Sequence, residues 1–351
     1  MRRGTVFIGD DHVLGEILDE VADTLARRGH RVVRGPAQPP PARTVYPPDT
    51  WPRLFAAAEV LVVSTRTAVP AELLAASPRV RGVVFPSIGT ESVDLAAATR
   101  LGVVVAHGAT DENCRSMAEA TVMLAAGLLL QLPLRQREFN ENVARPAPSA
   151  ITSRMMSGHT VGLLGFGRIA KEVVRRLDGW GVRRVLACTR HPADHGDWPQ
   201  VTFTDLGTVL EQSDVLSVHL PLTQETAGLI GAAELSRMKP GSVLVNTARG
   251  GIVDETALAR ALSQGRLAGA AVDTFVQEPP PPDHPLRACP TALLTNHIIG
   301  HTRELFDSLA PVAVEHVQSI LDGRPPRYVR NPEVLSHPHR HRHTGREAGI
   351  P

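Results

Sequence analysis

Three polar side chains that could bind an anion or transfer a proton each follow a predicted buried strand in the second half of the chain: Arg249, Glu278 and His297. The carboxyl ends of neighbouring parallel strands meet at one edge of a sheet, so we expect these side chains to lie close together. Arginine binds a carboxylate through two parallel hydrogen bonds, and histidine exchanges a proton near neutral pH. A glutamate beside that histidine would fix its tautomer and favour its protonated form. The three together predict a site that reduces a ketone next to a carboxylate.

Each of these residues also has a purely structural explanation. Arg249 could form a surface ion pair, Glu278 could be a loop carboxylate before a proline, and His297 could be a hydrogen-bonded core histidine. For any one residue alone the structural explanation is the commoner one. The catalytic interpretation is favoured because all three follow strands of one predicted sheet that also carries a nucleotide-binding turn.

That turn is the segment Gly162–Ala170, which reads Gly-Leu-Leu-Gly-Phe-Gly-Arg-Ile-Ala between a predicted strand and a predicted helix. Gly165 and Gly167 would form the tight turn and let the backbone approach a pyrophosphate, and Ala170 stands where a third glycine is common. The helix that follows offers backbone N–H groups and the positive end of its dipole to phosphates. Glycines at such a turn can be purely structural, but this turn opens a βαβ unit of the right size. The segment therefore predicts dinucleotide binding.

The end of the second strand of this unit indicates which dinucleotide binds. An NAD site normally has an acidic residue here that accepts hydrogen bonds from the ribose 2′-hydroxyl. The strand ends Leu-Ala-Cys-Thr-Arg-His over residues 186–191, and Thr189 stands 24 positions after Gly165, near the expected place of the acid. Arg190 beside it could pair with a 2′-phosphate. We therefore predict NADP(H) as the preferred cofactor and NAD(H) as a possible one; the alternative is that Arg190 points into solvent and both are accepted.

The order of predicted elements places these motifs in an α/β chain. Short β-branched runs alternate with helical patterns, which predicts two doubly wound parallel sheets. A 22-residue helical stretch, Asp111–Leu132, is long enough to join two domains, and the polar stretch Arg135–Ser157 after it is predicted to be a surface excursion. A last helix is expected at Thr302–Leu321. Beyond Asn331 the chain is polar and rich in histidine, so residues 331–351 are predicted to be a disordered tail.

Composition limits the possible classes of protein. The chain has 351 residues, more than one core usually holds, and 42% of them are hydrophobic. Lys and Arg number 37 and Asp and Glu 36, a net charge of +1 that favours neither a nucleic-acid nor a membrane partner. The three cysteines are widely spaced and suggest no disulfide framework and no metal site, which predicts a reducing, cytoplasmic location. The apolar run Met117–Leu130 is interrupted by Glu119 and is too short to span a bilayer.

These segments resemble the D-isomer-specific 2-hydroxyacid dehydrogenase family, which includes D-3-phosphoglycerate dehydrogenase and the glyoxylate/hydroxypyruvate reductases. The resemblance runs from about Val60 to Pro332. It is carried by the glycine turn and by the following segments, given by residue number: 87–94, 116–119, 219–223, 246–257, 269–279 and 297–300. The pattern Asn-x-x-Arg-Gly-x-x-Val-Asp-Glu-x-Ala-Leu, which begins at Asn246, is specific because so many spaced positions agree.

The resemblance implies roles for individual residues. Arg249 would hold the substrate carboxylate and carbonyl, His297 would be the general acid/base, and Glu278 would orient and charge His297. The residues implied to bind substrate, together with Arg249, are Ser87, Ile88 and Gly89. The residues implied to bind the dinucleotide are Gly165, Gly167, Arg168, Ile169, Thr189, Arg190, His219, Pro221, Thr247, Ala248, Asp273 and Gly300. No metal ligand is implied.

The resemblance also implies an architecture. A Rossmann dinucleotide-binding domain, residues 113–299, would be inserted into a flavodoxin-like substrate domain formed by residues 1–112 and 300–330. The protein would be a homodimer built around the dinucleotide-binding domain, and it would act on a small 2-keto or 2-hydroxy acid.

Some positions depart from the family pattern. Ser87 and Asn296 stand where glycine and proline are usual, and Arg66 is a possible substitute for an arginine that is missing near Ser64. These departures affect the expected substrate rather than the chemistry. The main alternative is a dinucleotide-sensing binding protein of the corepressor type, which the presence of all three catalytic residue types argues against. A formate or phosphite oxidoreductase is a weaker alternative, because the formate enzymes tend to carry an amide where Glu278 stands.

Overall fold

The structure is a computed structural model that describes residues 2–37 and 43–336. Contacts between Cα atoms divide the chain into two compact units. The first unit is Met1–Glu112 with Thr302–Pro351, and the second is Asn113–His301.

The first unit contains a five-stranded parallel sheet. Its strands are β1 (Thr5–Ile8), β2 (Arg31–Arg34), β3 (Val60–Val62), β4 (Gly82–Phe85) and β5 (Val104–His107). They lie in the order β2-β1-β3-β4-β5, which is the flavodoxin-like order. The helices of this unit are α1 (Gly15–Arg27), α2 (Trp51–Leu54), α3 (Ala71–Ala75), α4 (Leu95–Arg100) and α11 (Arg303–Leu321).

The inner strands β3 and β4 are buried at every position, and β1 is buried after Thr5, because helices cover both faces of the sheet. In β1, Val6 and Ile8 pack into the cluster formed with α1 and α11, whereas Phe7 points to the opposite face and contacts Tyr46 and Phe55. Successive side chains of a strand point to opposite faces, so a strand buried on both faces loses the alternation of polar and apolar residues.

The second unit contains a seven-stranded parallel sheet. Its strands are β6 (Thr160–Leu164), β7 (Arg184–Cys188), β8 (Val201–Phe203), β9 (Val215–Val218), β10 (Val243–Asn246), β11 (Gly269–Val272) and β12 (Ala292–Leu294). The order is β12-β11-β10-β9-β6-β7-β8, so the chain winds outward from β6 in one direction and then from β9 in the other. The carboxyl edge between β6 and β9 is therefore the point where such sheets bind ligands. Two doubly wound parallel sheets were predicted, and this prediction is confirmed.

The helices of the second unit follow the strands closely. They are α6 (Leu132–Asn140), α7 (Arg168–Leu177), α8 (Leu206–Gln212), α9 (Ala232–Arg237) and α10 (Glu255–Ser263), and they are preceded by α5 (Asp111–Leu129), which begins at the boundary between the units.

The helix predicted over Asp111–Leu132 is shorter than expected. It ends at Leu129, because Gln131 adopts a left-handed backbone conformation with φ +58° and α6 begins at the next residue. Pro133 lies in the first turn of α6, where its missing N–H costs no helical hydrogen bond. The predicted surface excursion from Arg135 therefore begins inside a helix. Within the described part of the chain, no single helix has the length and apolar character of a membrane span; α5 and α6 reach them only as a pair bent by 60°.

The prediction of a disordered tail from Asn331 is wrong for its first six residues. Asn331 is fully buried: its side-chain oxygen accepts a hydrogen bond from Val105 N at 2.9 Å, and its amide nitrogen donates to Val103 O at 3.0 Å. A 3₁₀ helix, Pro332–Ser336, follows. The strand β5 lies at the edge of its sheet, and Asn331 satisfies backbone groups there that no further strand pairs with. The rest of the predicted tail, including its four histidines, lies outside the described residues.

Candidate active site

The glycine turn after β6 has the geometry that its sequence predicts. Gly165 has a φ of +91°, and a Cβ there would lie 2.6 Å from the carbonyl oxygen of His219, so only glycine fits. The Gly165 amide donates to the carbonyl of Cys188 at the end of β7, 2.8 Å away. The turn is therefore held between the ends of two neighbouring strands.

The space in front of this turn is suited to a phosphate. A Cβ built on Gly167 would have no atom of the described chain within 4 Å. Gly167 is also the N-cap of α7, and among the described residues no side chain caps this helix, whose first residues are Arg168 and Ile169. An open glycine at the uncapped N-terminus of a ten-residue helix fits the pyrophosphate of a dinucleotide.

The tip of β7 carries Thr189 and Arg190 as expected, but the structure adds two neighbours. The Thr189 hydroxyl lies 3.1 Å from Nε2 of His195, whose ring packs edge-on against Phe166 of the glycine turn. Arg190 is exposed, and its charge helps to lower the pKa of Glu225, after the larger effect of the hydrogen bond from Thr223 to that carboxylate. Sequence reasoning missed Glu225 because it lies on the loop after a different strand, β9.

The loop after β9 begins with His219 and Pro221. The amide of His219 donates to Leu164 O at 2.7 Å, next to the glycine turn, and its Nε2 lies 3.0 Å from the hydroxyl of Ser217. Burial lowers the pKa of His219 to about 4, so the ring is neutral at physiological pH. The carbonyl of Pro221 accepts a hydrogen bond from the Thr226 hydroxyl at 2.6 Å.

Arg249 follows β10 on a loop that Asn246 holds in place. The amide nitrogen of Asn246 donates to the carbonyl of Arg249 at 3.0 Å, and its oxygen accepts from Ala248 N at 3.2 Å. One guanidinium nitrogen of Arg249 donates to Ala248 O at 2.7 Å. Thr247, between them, is buried, with its hydroxyl 3.4 Å from that of Thr121. The side-chain amide of Asn246 therefore holds the backbone of the Arg249 loop through two hydrogen bonds.

His297 and Glu278 are in direct contact. Nδ1 of His297 lies 2.9 Å from both carboxylate oxygens of Glu278. Burial alone would raise the pKa of Glu278, but the hydrogen bond and charge of His297, the Phe275 amide and the charge of Arg249 together hold it below the usual value. An ionised carboxylate only accepts hydrogen bonds, so Nδ1 carries a hydrogen and Nε2 is left for chemistry.

A buried aspartate holds the histidine loop. His297 has a φ of +55°, a strained conformation for a non-glycine residue, and its amide donates to Asp273 O at 2.8 Å. The carboxylate oxygen Oδ1 of Asp273 accepts hydrogen bonds from the Thr295 hydroxyl at 2.6 Å and from the amides of Ile298 and Ile299 at 3.0 and 3.3 Å. This function of Asp273 was not predicted, because it depends on where the next strand ends.

Two other residues complete the surroundings of His297. Gly300 packs directly against the side chain of Met117 on α5. His301, which no sequence motif indicated, has its pKa lowered by burial and then by the charge of His297. The structure thus brings Glu278 and His297 into contact, with Arg249 near enough to act on the Glu278 charge.

The predicted substrate loop lies after β4 in the first unit. Gly89 is buried, and Ser87 and Ile88 are partly buried. The carbonyl of Ser87 accepts a hydrogen bond from Gly108 N at 2.8 Å. The Ser87 hydroxyl is buried and has no hydrogen-bond partner among the described residues. Among all the residues that the structure describes, no cluster of three or more His, Cys, Asp or Glu side chains could hold a metal ion.

Comparison with known proteins agrees with this geometry. Residues 122–298 match the family model for the D-isomer specific 2-hydroxyacid dehydrogenase NAD binding domain. The chain is 35% identical over 274 residues to a glyoxylate reductase of Thermofilum pendens, a match that covers 76% of this chain and 79% of that protein. It is 33% identical to a D-3-phosphoglycerate dehydrogenase of Archaeoglobus fulgidus over 78% of this chain, but over only 51% of that longer protein.

The fold also matches solved structures. The TT0316 protein of Thermus thermophilus superposes with a TM-score of 0.76 at 31% identity, covering 93% of this chain and 99% of that one. The resemblance predicted from the motifs is confirmed. The chain therefore belongs to the D-isomer-specific 2-hydroxyacid dehydrogenase family, and it is an oxidoreductase that uses a nicotinamide dinucleotide.

Proposed function

We propose that the protein reduces a small 2-keto acid to the D-2-hydroxy acid, with NADPH preferred over NADH. The observation that carries this proposal is the contact of His297 Nδ1 with both oxygens of Glu278 at 2.9 Å, at the sheet edge that also carries Arg249. Similarity to a glyoxylate reductase and a D-3-phosphoglycerate dehydrogenase supports a 2-keto or 2-hydroxy acid as substrate.

The proposed reaction divides the work between three side chains. The bound dinucleotide supplies a hydride to the keto carbon. His297 donates the Nε2 proton to the keto oxygen, so that the C=O bond becomes CH–OH, while Glu278 holds Nδ1 and balances the imidazolium charge. Arg249 neutralises the substrate carboxylate and stabilises the negative charge that develops on the oxygen.

The dinucleotide would lie along the carboxyl edge of the seven-stranded sheet. We assign the pyrophosphate to the glycine turn and the first residues of α7, the adenosine ribose to Thr189 and Arg190, and the nicotinamide end to Asp273. The other contacts are assigned to His219, Pro221, Thr247, Ala248 and Gly300, and the substrate carboxylate to Ser87, Ile88 and Gly89. Residues 113–299 would then be the dinucleotide-binding domain, and residues 1–112 with 300–330 the substrate domain.

A substrate screen tests this proposal. NADPH oxidation is measured with glyoxylate, hydroxypyruvate and larger 2-keto acids, and we expect turnover with at least one of them. Replacing His297 by alanine should lower that turnover at least about 100-fold. No turnover with any acid, together with tight dinucleotide binding, would instead favour the dinucleotide-sensing alternative.

The preference for NADPH rests on Arg190, and Glu225 opposes it. The Arg190 guanidinium would pair with the 2′-phosphate, while the nearby Glu225 carboxylate would repel it. We therefore expect Arg190→Ala to raise the Michaelis constant for NADPH and leave that for NADH nearly unchanged. Glu225→Gln should lower the Michaelis constant for NADPH. A wild-type enzyme with a clear preference for NADH would refute the assignment.

We also propose that a second copy of this chain covers an apolar face of the second unit. A groove of about 240 Å³ is lined mainly by apolar residues, namely Ala126, Leu130, Met155, Met156, Ser157 and Trp180. Leu130 is 54% exposed and Met155 70% exposed, and such patches usually bind a partner. Leu130→Asp should convert a dimer to a monomer in light scattering, whereas Leu101→Asp, at an exposed site of the first unit, should not. A monomeric wild-type protein at every concentration tested would contradict this.

A cytoplasmic location is proposed from the thiols. None of the three cysteines Cys114, Cys188 and Cys289, all of them among the described residues, forms a disulfide. Fresh lysate is unfolded in the presence of a thiol-labelling reagent, and we expect all three thiols to be labelled. A disulfide formed in the cell would contradict the proposal.

A further inference from the structure

We propose that Glu255 and His284 form a second carboxylate–imidazole pair whose function is to position Glu278 against His297. This inference rests on the proposed function, because it concerns the same proton-transfer site. Glu255 lies in the motif that begins at Asn246, but the sequence assigned no function to it or to His284. Neither residue is expected to touch substrate or cofactor. They are therefore positioning residues.

The pair is well buried and geometrically complete. Glu255 is the first residue of α10, and its Oε2 accepts a hydrogen bond from Nε2 of His284 at 2.8 Å. The side chains are only 15% and 8% exposed, respectively. The second oxygen of Glu255, Oε1, accepts from the backbone amide of Val276 at 2.8 Å. Both oxygens of this carboxylate are thus used to bind groups outside its own helix.

The loop that carries Glu278 is held at two consecutive amides by two different carboxylates. The amide of Phe275 donates to Oε1 of Glu278 at 3.1 Å, and the next amide, that of Val276, donates to Glu255. The backbone of the Arg249 loop supports the same point, since a Cβ on Gly250 would lie 2.0 Å from the carbonyl carbon of Phe275. A shift at Val276 therefore moves the amide that fixes the Glu278 carboxylate.

His284 connects this anchor to the chain that follows the loop. Its ring packs edge-on against Phe275 with 5.4 Å between ring centroids, and it immediately precedes the 3₁₀ helix Pro285–Ala288. Nδ1 of His284 is buried and has no hydrogen-bond partner among the described residues. A hydrogen on Nδ1 would be buried without an acceptor, which favours the tautomer with its hydrogen on Nε2, facing Glu255.

The resulting chain of contacts runs from His284 through Glu255 to Val276 and Phe275, and from there to Glu278 and His297. The charged groups that act on Glu278 at the far end are His297 and Arg249. Loss of the donor at His284 would release Glu255 and loosen the loop, without removing any group from the reacting atoms. Misplacement of a catalytic group by about 1 Å can lower turnover up to ~100-fold.

The test compares three variants of the full-length protein. His284→Leu removes the donor and keeps an apolar side chain against Phe275. His284→Gln keeps a donor near the position of Nε2, so it is the conservative rescue. His316→Leu is the matched control: His316 is fully buried in the first unit, and neither of its ring nitrogens has a hydrogen-bond partner among the described residues.

We expect His284→Leu to lower kcat for keto-acid reduction about 10-fold, with the dinucleotide dissociation constant unchanged, and to move the alkaline limb of the pH profile to lower pH. His284→Gln should recover most of the loss, and His316→Leu should retain wild-type turnover. Hydrogen exchange measured by mass spectrometry should show faster exchange at the Phe275 and Val276 amides in His284→Leu only.

A double-mutant cycle separates positioning from general destabilisation. If His284 acts through Glu278, adding His284→Leu to Glu278→Gln should cost less than twofold in kcat, because the group being positioned is already gone. Multiplicative losses, or unchanged kcat and pH profile in a folded His284→Leu variant, would overturn the inference. If the wild-type protein reduces no 2-keto acid, the proposed function fails, and hydrogen exchange at the Phe275 and Val276 amides still tests whether His284 holds this loop. Turnover by the wild type together with an unchanged kcat in a folded His284→Leu variant would overturn this inference alone.

Discussion

The contact between His297 and Glu278 allows the effect of removing one charge to be worked out. Replacing Glu278 by glutamine keeps a hydrogen-bond acceptor for Nδ1 and removes the negative charge. At 2.9 Å the Coulomb energy between unit charges is about 1.4 kcal/mol at an effective dielectric constant of ~80, and about 2.9 kcal/mol at ~40. The side chains are 44% and 38% exposed, so screening by water favours the lower figure.

An energy of about 1.4 kcal/mol corresponds to about one pH unit. In the proposed reaction His297 donates a proton to the ketone, so we expect activity to fall on the alkaline side. Without the carboxylate the imidazolium is less stabilised and loses its proton at lower pH. We therefore expect the alkaline limb of kcat/KM to move down by about one pH unit. Glu278 itself stays ionised across the assay range, because its pKa lies below the usual value.

The assay is the pH dependence of kcat/KM for keto-acid reduction, measured with saturating cofactor. Glu211→Gln is the matched control, since it removes an exposed carboxylate that pairs with Arg237. The control should leave the limb in place. An alkaline limb that does not move in Glu278→Gln, with turnover still measurable, would show that the carboxylate does not stabilise the imidazolium.

Three further predictions concern cofactor binding and stability. Gly165→Ala should lower the melting temperature and abolish dinucleotide binding, because the alanine Cβ has no room at this position. Gly167→Ala should keep the wild-type melting temperature and weaken dinucleotide binding at least about 10-fold in a fluorescence titration. Asn331→Ala should lower the free energy of unfolding in urea by about 2 kcal/mol, since it leaves buried backbone groups unpaired. Burial raises the pKa of Asp214, but the hydrogen bonds from Lys239 and the Thr160 amide, with the charges of Lys239 and His159, together outweigh this and the net shift is downward. Its stabilisation is therefore present above the usual aspartate pKa of about 3.9 and is lost as the pH falls through the lower folded-state pKa. The unfolding free energies of Asp214→Asn and wild type should converge as the pH is lowered, and a constant difference would contradict this.

Much of the fold and the central pair of the site could be predicted because the signals are local. The alternation of buried strands and helices, the glycine turn at Gly165 and the places of Glu278 and His297 after successive strands can all be read within short windows. The carboxyl ends of neighbouring parallel strands lie together as a rule. Glu278 and His297, which are 19 residues apart in the sequence, are therefore only 2.9 Å apart in the fold.

Other features could not be read in this way, because they depend on groups that meet only in the folded chain. The side chain of Asn331 contacts Val105, which is 226 residues away, and its burial contradicts the polarity of the segment around it. Glu225 lies on the loop after β9, whereas Arg190 follows β7. The residues at the end of β7 therefore did not indicate that a carboxylate acts on Arg190. The break between α5 and α6 depends on the left-handed backbone conformation of Gln131. The spacing of hydrophobic residues does not indicate such a conformation.

By itself, the sequence determined the two parallel sheets and the glycine turn, and it predicted the set of side chains that we propose to carry the chemistry. Hydrophobic periodicity and glycine spacing report local backbone geometry, which changes little with surroundings. Only the tertiary structure decided how those side chains are held: Asp273 binding three donors of the histidine loop, and Glu255 joining His284 to Val276. Hydrogen bonds between distant loops depend on ångström-scale distances set by packing, and no pattern of residue types encodes such distances.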